Sequence, residues 1–231
     1  MDAKRWQKQL RARFEEGADA KRAKQQQAYM KSELPFFGVR GPEVRKITKE
    51  LAKPLTFESF DEFERFVRFI WSNASRREER YAALTLLDLK QTRVFQTMGA
   101  VPLYAFLISD GAWWDVVDEV ANHRFVKLLE DDRDAMVKVL RRWSKLKDLW
   151  LRRAAIITQV QRHEETDLAL MFELIEPAIH EKEFFLRKAI GWALRSAGKE
   201  FPREIRAYVD ENSERLSGLS KREAEKSLSP R

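Results

Sequence analysis

LWLRRAAI (149–156) and FFLRKAIG (184–191) read as one pattern written twice. Trp150 matches Phe185, Leu151 matches Leu186, Arg153 matches Lys188 and Ala154 matches Ala189, all at an offset of 35 residues. The same step back from Arg153 lands on Asp118 in GAWWDVVDEV (111–120), and a further step of 37 reaches Tyr81, which opens YAAL. Periods of about 35–45 residues with two helices each belong to stacked helical repeats of the HEAT or TPR kind. In such stacks, matching residues of neighbouring repeats stand side by side. Asp118, Arg153 and Lys188 are therefore expected to form a row lining a concave surface, with Trp114 and Trp192 one turn to either side.

The remaining segments agree with a helical chain. FESFDEFERFVRFIW (57–71) places apolar residues at 60, 63, 66, 67, 70 and 71, the spacing of an amphipathic helix. The runs 80–89, 134–143, 149–160, 168–179 and 184–198 behave alike, with breaks at FFGVRGP, SNAS, SDG and KEFP. No stretch alternates apolar and polar as a half-buried strand would. The last helix is expected to open with a capping box of Ser220 and Glu223. EDDRD (130–134) reads as a solvated helix start. No break is long enough for a linker, so the expectation is one all-α domain over 1–228 and a frayed tail at 229–231.

Composition removes whole classes of chemistry. Lysine plus arginine outnumber the acids 44 to 37, a charge of +7 spread through 231 residues, which suits nucleic acid without requiring it. The absence of cysteine excludes disulfides, cysteine-ligated clusters and thiol nucleophiles. The opening MDAKRWQKQLRARF has no apolar h-region and no run approaches a membrane span, so a cytoplasmic, soluble chain is expected. His123, His163 and His180 are scattered without metal-ligand spacing, and no metal is expected. Neither a phosphate loop after a strand nor a serine-nucleophile elbow is present.

Asp118 is the anomaly in a basic row, because it would weaken binding of a polyanion. Either it is a structural partner of Arg153, tying repeats together, or it has a chemical task. Spacing alone favours the ion pair, since structural pairs outnumber catalytic carboxylates. Trp114 and Trp192 also have plain readings as packing residues. Gly191, beside Trp192, allows close approach by a neighbouring helix or a ligand.

SDGAWWDVVDEV, DLWLRRAAI, EFFLRKAIGWALR and LSKREA together strongly resemble the AlkD-like family of bacterial DNA alkylation-repair glycosylases, and FFGVRGPEVRK is similar to its first DNA-facing loop. The resemblance runs from about Tyr29 to about Ala224 with motif order kept. It implies a curved right-handed α-solenoid of stacked HEAT-like antiparallel helix pairs, holding duplex DNA in a basic concave cleft. It also implies hydrolysis of the N-glycosidic bond of cationic N3- or N7-alkylated purines, such as 3-methyladenine and 7-methylguanine. That would occur without inserting the base into a pocket, and would leave an abasic site.

By this resemblance Asp118 stands at the catalytic aspartate, and Trp114 and Trp192 at two sugar-facing tryptophans. Arg153 matches a cleft arginine, Lys188 is expected on a phosphate, and Arg195 matches a DNA-binding cleft position. Tyr29, Arg40 and Arg45 are further expected DNA contacts, with Pro42 at the first position of a helix whose free N–H groups could take a phosphate. In the family a glutamine commonly stands at the position of Arg40. No cofactor is implied, and a monomer acting on double-stranded DNA is expected. Two other readings remain at this point: a non-catalytic HEAT-like DNA-binding protein and a protein-binding repeat scaffold. The second predicts apolar anchors where the Asp–Arg–Lys row stands.

Overall fold

Asp2, Asp19 and Ser59 each turn a side-chain oxygen onto a backbone N–H three residues ahead, and each begins a helix. In the computed structural model, which describes residues 2–228, these helices are α1 (Ala3–Glu16), α2 (Ala20–Met30) and, after α3 (Gly41–Ala52), α4 (Phe60–Ser72). With α5 (Arg77–Leu86) and a 3₁₀ turn at Lys90–Phe95 they make the first of two compact units, Met1–Gln96. The amphipathic reading of 57–71 holds, since Phe63, Phe66, Val67, Ile70 and Trp71 are all buried. They join Trp6, Leu10 and Phe14 of α1, which are fully enclosed. Each such side chain contributes about 1.5–3 kcal/mol of apolar burial.

Two buried carboxylates on α5 organise this unit. Glu79 accepts from Gln7 Nε2 at 2.7 Å, Arg11 Nε at 2.8 Å and the Ser75 backbone at 2.8 Å, so α1 and the α4–α5 turn share one anion. Glu78 accepts from three successive backbone N–H groups, those of Phe37 (3.0 Å), Gly38 (2.8 Å) and Val39 (3.1 Å). That curl of backbone is a nest, a shape that favours an anion. It needs Gly38 at φ +90°, where an added Cβ would lie 2.2 Å from the Asp19 carbonyl oxygen. Arg22 and Gln26 donate to the carbonyls of Gly38 and Val39, so the loop before α3 is held from both sides. Burial raises the Glu78 pKa even against those three donors.

The second unit, Thr97–Arg231, contains α6 (Val101–Gly111), α7 (Trp114–Val120), α8 (Val126–Asp131), α9 (Arg133–Trp143) and α10 (Leu149–Ile157). Then follow α11 (Leu168–Ile175), α12 (Phe184–Ala197), α13 (Pro202–Glu211) and α14 (Gly218–Glu225). A π-turn at Ala121–Phe125 joins α7 to α8 without a break. Within this unit α10 packs against α7 on one side and α12 on the other, and α12 packs in turn on α14. This is the stacking the 35-residue pattern predicts. Val116, Val117, Val120, Phe125, Ala154, Ile157, Ala189 and Leu194 close the core between them. Every regular element among the described residues is helical, so the all-α expectation holds.

Several local expectations need correction. The last helix is capped by Ser217, whose side chain accepts from the Ser220 backbone, and not by Ser220. Ser220 lies one turn inside and donates to the Arg187 carbonyl at 2.9 Å. The run 168–179 splits, because Pro177 lacks the N–H that would continue α11 and a 3₁₀ turn takes over at Glu176–Ala178. Pro42 is the second residue of α3, after Gly41. The SDG break falls slightly later: α6 runs through Gly111 and ends on Ala112, which takes a left-handed φ of 41°. The tail expected at 229–231 lies outside the described residues.

Candidate functional site

Asp118 sits one helical turn after Trp114 on α7, and α10 lies alongside. From α10, Arg153 presents its guanidinium edge-on: Nε donates to Asp118 Oδ1 and Nη2 to Oδ2, each at 2.8 Å. This is the two-pronged geometry that makes arginine–carboxylate pairs strong. A third donor, Nη1, reaches the Phe185 carbonyl of α12 at 2.9 Å. One arginine thus ties three successive helices of the stack. Its side chain is only 6% exposed, while that of Asp118 keeps 17%. The carboxylate is therefore gripped from behind and open on one side. Burial raises its pKa, against the lowering effect of the Arg153 hydrogen bonds and charge, and Asp115 adds to the rise.

Trp114 and Trp192 are both half-buried, one on α7 and one on α12. Neighbouring Trp113 is committed to packing, with its ring 5.9 Å from Trp150 and 5.2 Å from Phe185. Trp150 and Phe185, the pair matched at one repeat, are themselves 4.8 Å apart. The matched aromatics therefore form a ladder beside the polar row.

Lys188 has a partner beyond the three residues of the expected row. Its Nζ donates to Glu223 Oε1 at 3.0 Å, and the two residues are separated by 35 positions, the same step as Asp118 and Arg153. Glu223 also accepts from Arg195 and from Lys226. The row therefore has a fourth member, Glu223, and the repeat offset that found the first three also pointed to it. The freedom expected at Gly191 is used by a neighbouring helix: an added Cβ there would lie 2.6 Å from Glu223 Cβ and 3.2 Å from Ser220 Cα.

Tyr29, Arg40 and Arg45 belong to the first unit. Tyr29 is 73% exposed near the end of α2. Arg40 is the exposed N-cap residue of α3, its own N–H accepted by Glu43 at 3.2 Å, and Arg45 is exposed one turn on. Glu78, which fixes the loop leading to Arg40, escaped the sequence reading. Its partners are backbone N–H groups, which leave no mark on side-chain patterns. Among the described residues no group of three or more His, Cys, Asp or Glu is placed to hold a metal ion, and no helix is long and apolar enough to cross a membrane.

Comparison with known proteins bears on this arrangement. Residues 10–228 match the family described as DNA alkylation repair enzyme. A solved structure named "Predicted DNA alkylation repair enzyme from Enterococcus faecalis" is 27% identical, with 93% of this chain and 98% of that one covered at a TM-score of 0.82. A search of curated proteins finds no match.

Proposed function

The chain belongs to the DNA alkylation repair enzyme family, and from that premise we propose that it is a monofunctional DNA glycosylase for cationic N3- and N7-alkylated purines in duplex DNA. The observation that carries this reading is the Asp118 carboxylate, bound along one edge by Arg153 and still partly open, with Trp114 one turn before it.

An alkylated purine already bears positive charge, so it leaves without a general acid. As the glycosidic bond breaks, the charge moves to the deoxyribose in an oxocarbenium-like transition state. A carboxylate fixed beside that carbon stabilises the charge without reorganising, because Arg153 already holds it in place. The same carboxylate can orient the attacking water and take the proton that it sheds on adding to the sugar carbon, which completes hydrolysis and leaves an abasic site. Indole faces of Trp114 and Trp192 against the sugar add cation–π attraction that grows with the charge, on the order of one or two kcal/mol per desolvated ring. Lesions are then held through sugar and backbone, and the base need not leave the stack for a pocket.

The test is release of 7-methylguanine from a duplex with a single lesion, for the wild type and Asp118→Asn under single turnover. Asparagine keeps the shape and one acceptor but not the charge. The expected result is base release by the wild type and a loss of about 10²–10³-fold in the variant, the range typical of removing one preorganised electrostatic contact. Unchanged binding of undamaged duplex and an unchanged melt would accompany it. Equal rates for the two proteins would remove Asp118 from the chemistry. No release of either 7-methylguanine or 3-methyladenine by the wild type, with duplex binding intact, would leave a DNA-binding protein.

A further inference from the structure

Glu223 is a carboxylate with more cations than it can neutralise. Oε1 accepts from Lys188 Nζ at 3.0 Å and from Lys226 Nζ at 2.8 Å, and Oε2 accepts from Arg195. The carboxylate side chain is 8% exposed, whereas Lys188, Arg195 and Lys226 keep 39%, 34% and 56%. The anion is thus covered and the cations face outward. Its pKa falls to about 2, first through the Lys226 hydrogen bond and then through that of Lys188. It therefore stays charged at any working pH, and the cluster carries a local excess of two positive charges. The two ammonium groups share one oxygen, so they can be no farther apart than those two bonds laid end to end. Like charges this close are brought together by Glu223 and favour a second anion on their open side.

Geometry narrows what that anion is. On α12, Lys188, Trp192 and Arg195 follow at i, i+4 and i+7, so the half-buried indole lies between two members of the cluster on one helix face. An apolar ring flanked by cations matches a sugar joined to its phosphate. We propose that Glu223 gathers Lys188, Arg195 and Lys226 into a clamp for a phosphodiester of duplex DNA, with Lys226 as a phosphate contact and Glu223 as its positioning residue. This rests on the glycosylase reading for the identity of the polyanion and extends it to the residues that grip the strand. Gly191 is part of the device, because only a glycine lets α14 come close enough for Glu223 to reach beneath all three cations.

The experiment measures binding of undamaged duplex as a function of salt for the wild type, Lys226→Met and Lys138→Met. Methionine keeps the length and apolar stem of lysine and removes only the charge. Lys138, on α9, is an exposed lysine outside the cluster and controls for net charge. Lys226→Met is expected to weaken binding about three- to tenfold near 0.1 M salt and to reduce the slope of log K against log salt by about one. Lys138→Met is expected to leave the slope unchanged. An unchanged slope in Lys226→Met, or an equal fall in both variants, overturns the proposal. Base release by the wild type, assayed separately, keeps the two readings apart. Release with an unaltered Lys226→Met slope removes only the clamp. A reduced slope without release keeps the clamp and removes the glycosylase.

Discussion

A carboxylate that accepts two hydrogen bonds from a guanidinium ordinarily ionises easily, yet at Asp118 burial outweighs Arg153 and the proton is held more tightly than usual. The sign of the consequence follows. A raised pKa means that the folded protein takes up this proton at a higher pH than an unfolded chain would. The charge the proposed reaction needs is therefore lost early on acidification. Single-turnover base release should fall on the acid side with a midpoint above the ordinary aspartate value of about 3.9. A midpoint at or below that value would show that burial does not raise the pKa of the carboxylate on which the rate depends. Stability runs the opposite way at this residue, since protonation relieves a buried charge and favours the folded state as pH falls through the raised pKa. Asp118 was legible in the sequence because a 35-residue step tied it to Arg153. Its raised pKa was not, because burial depends on what α10 brings over it.

At the scale of elements, the contact of α12 with α14 is the sharpest constraint in the second unit. A methyl group at position 191 would meet Glu223 Cβ at 2.6 Å and Cγ at 3.1 Å. Gly191→Ala should therefore destabilise the protein by about 1–2 kcal/mol, with the 1–3 kcal/mol of overpacking partly offset by the better helix propensity of alanine. Urea denaturation would read this as a lower midpoint at an unchanged slope. A neutral or stabilised variant would mean that α14 shifts away at no cost. The same pair of helices shows what a local motif can hide. Ser220 and Glu223 have the spacing of a capping box, a motif that points to no partner outside its own helix. The structure gives the cap to Ser217 and turns Glu223 onto Lys188. The long-range repeat was the better guide, because side chains from successive repeats compete for the same carboxylate. Glu78 had no such signal, since its bonds go to the backbone of residues 37–39.

For the whole molecule, helical periodicity and sparse glycine and proline made the all-α class readable, and the family match extends over 10–228. The division into two compact units was not readable, since no linker or change of composition marks the boundary at Gln96 and Thr97. The charge of +7 is spread through the sequence, so net charge alone does not identify which cations meet DNA. If Arg40, Arg45, Lys188, Arg195 and Lys226 each meet one phosphate, log K should fall with log salt at a slope of about −4 to −5. Titrations of undamaged duplex at several salt concentrations give that slope directly. A nearly flat plot would point to a protein-binding scaffold. Acid divides the two carboxylates at the ends of the row. Glu223 keeps its charge down to about pH 2, while Asp118 surrenders its own sooner than a free aspartate does. Between those limits the clamp would stay armed after the chemistry had stopped. An acidified sample should then show duplex binding that outlasts base release.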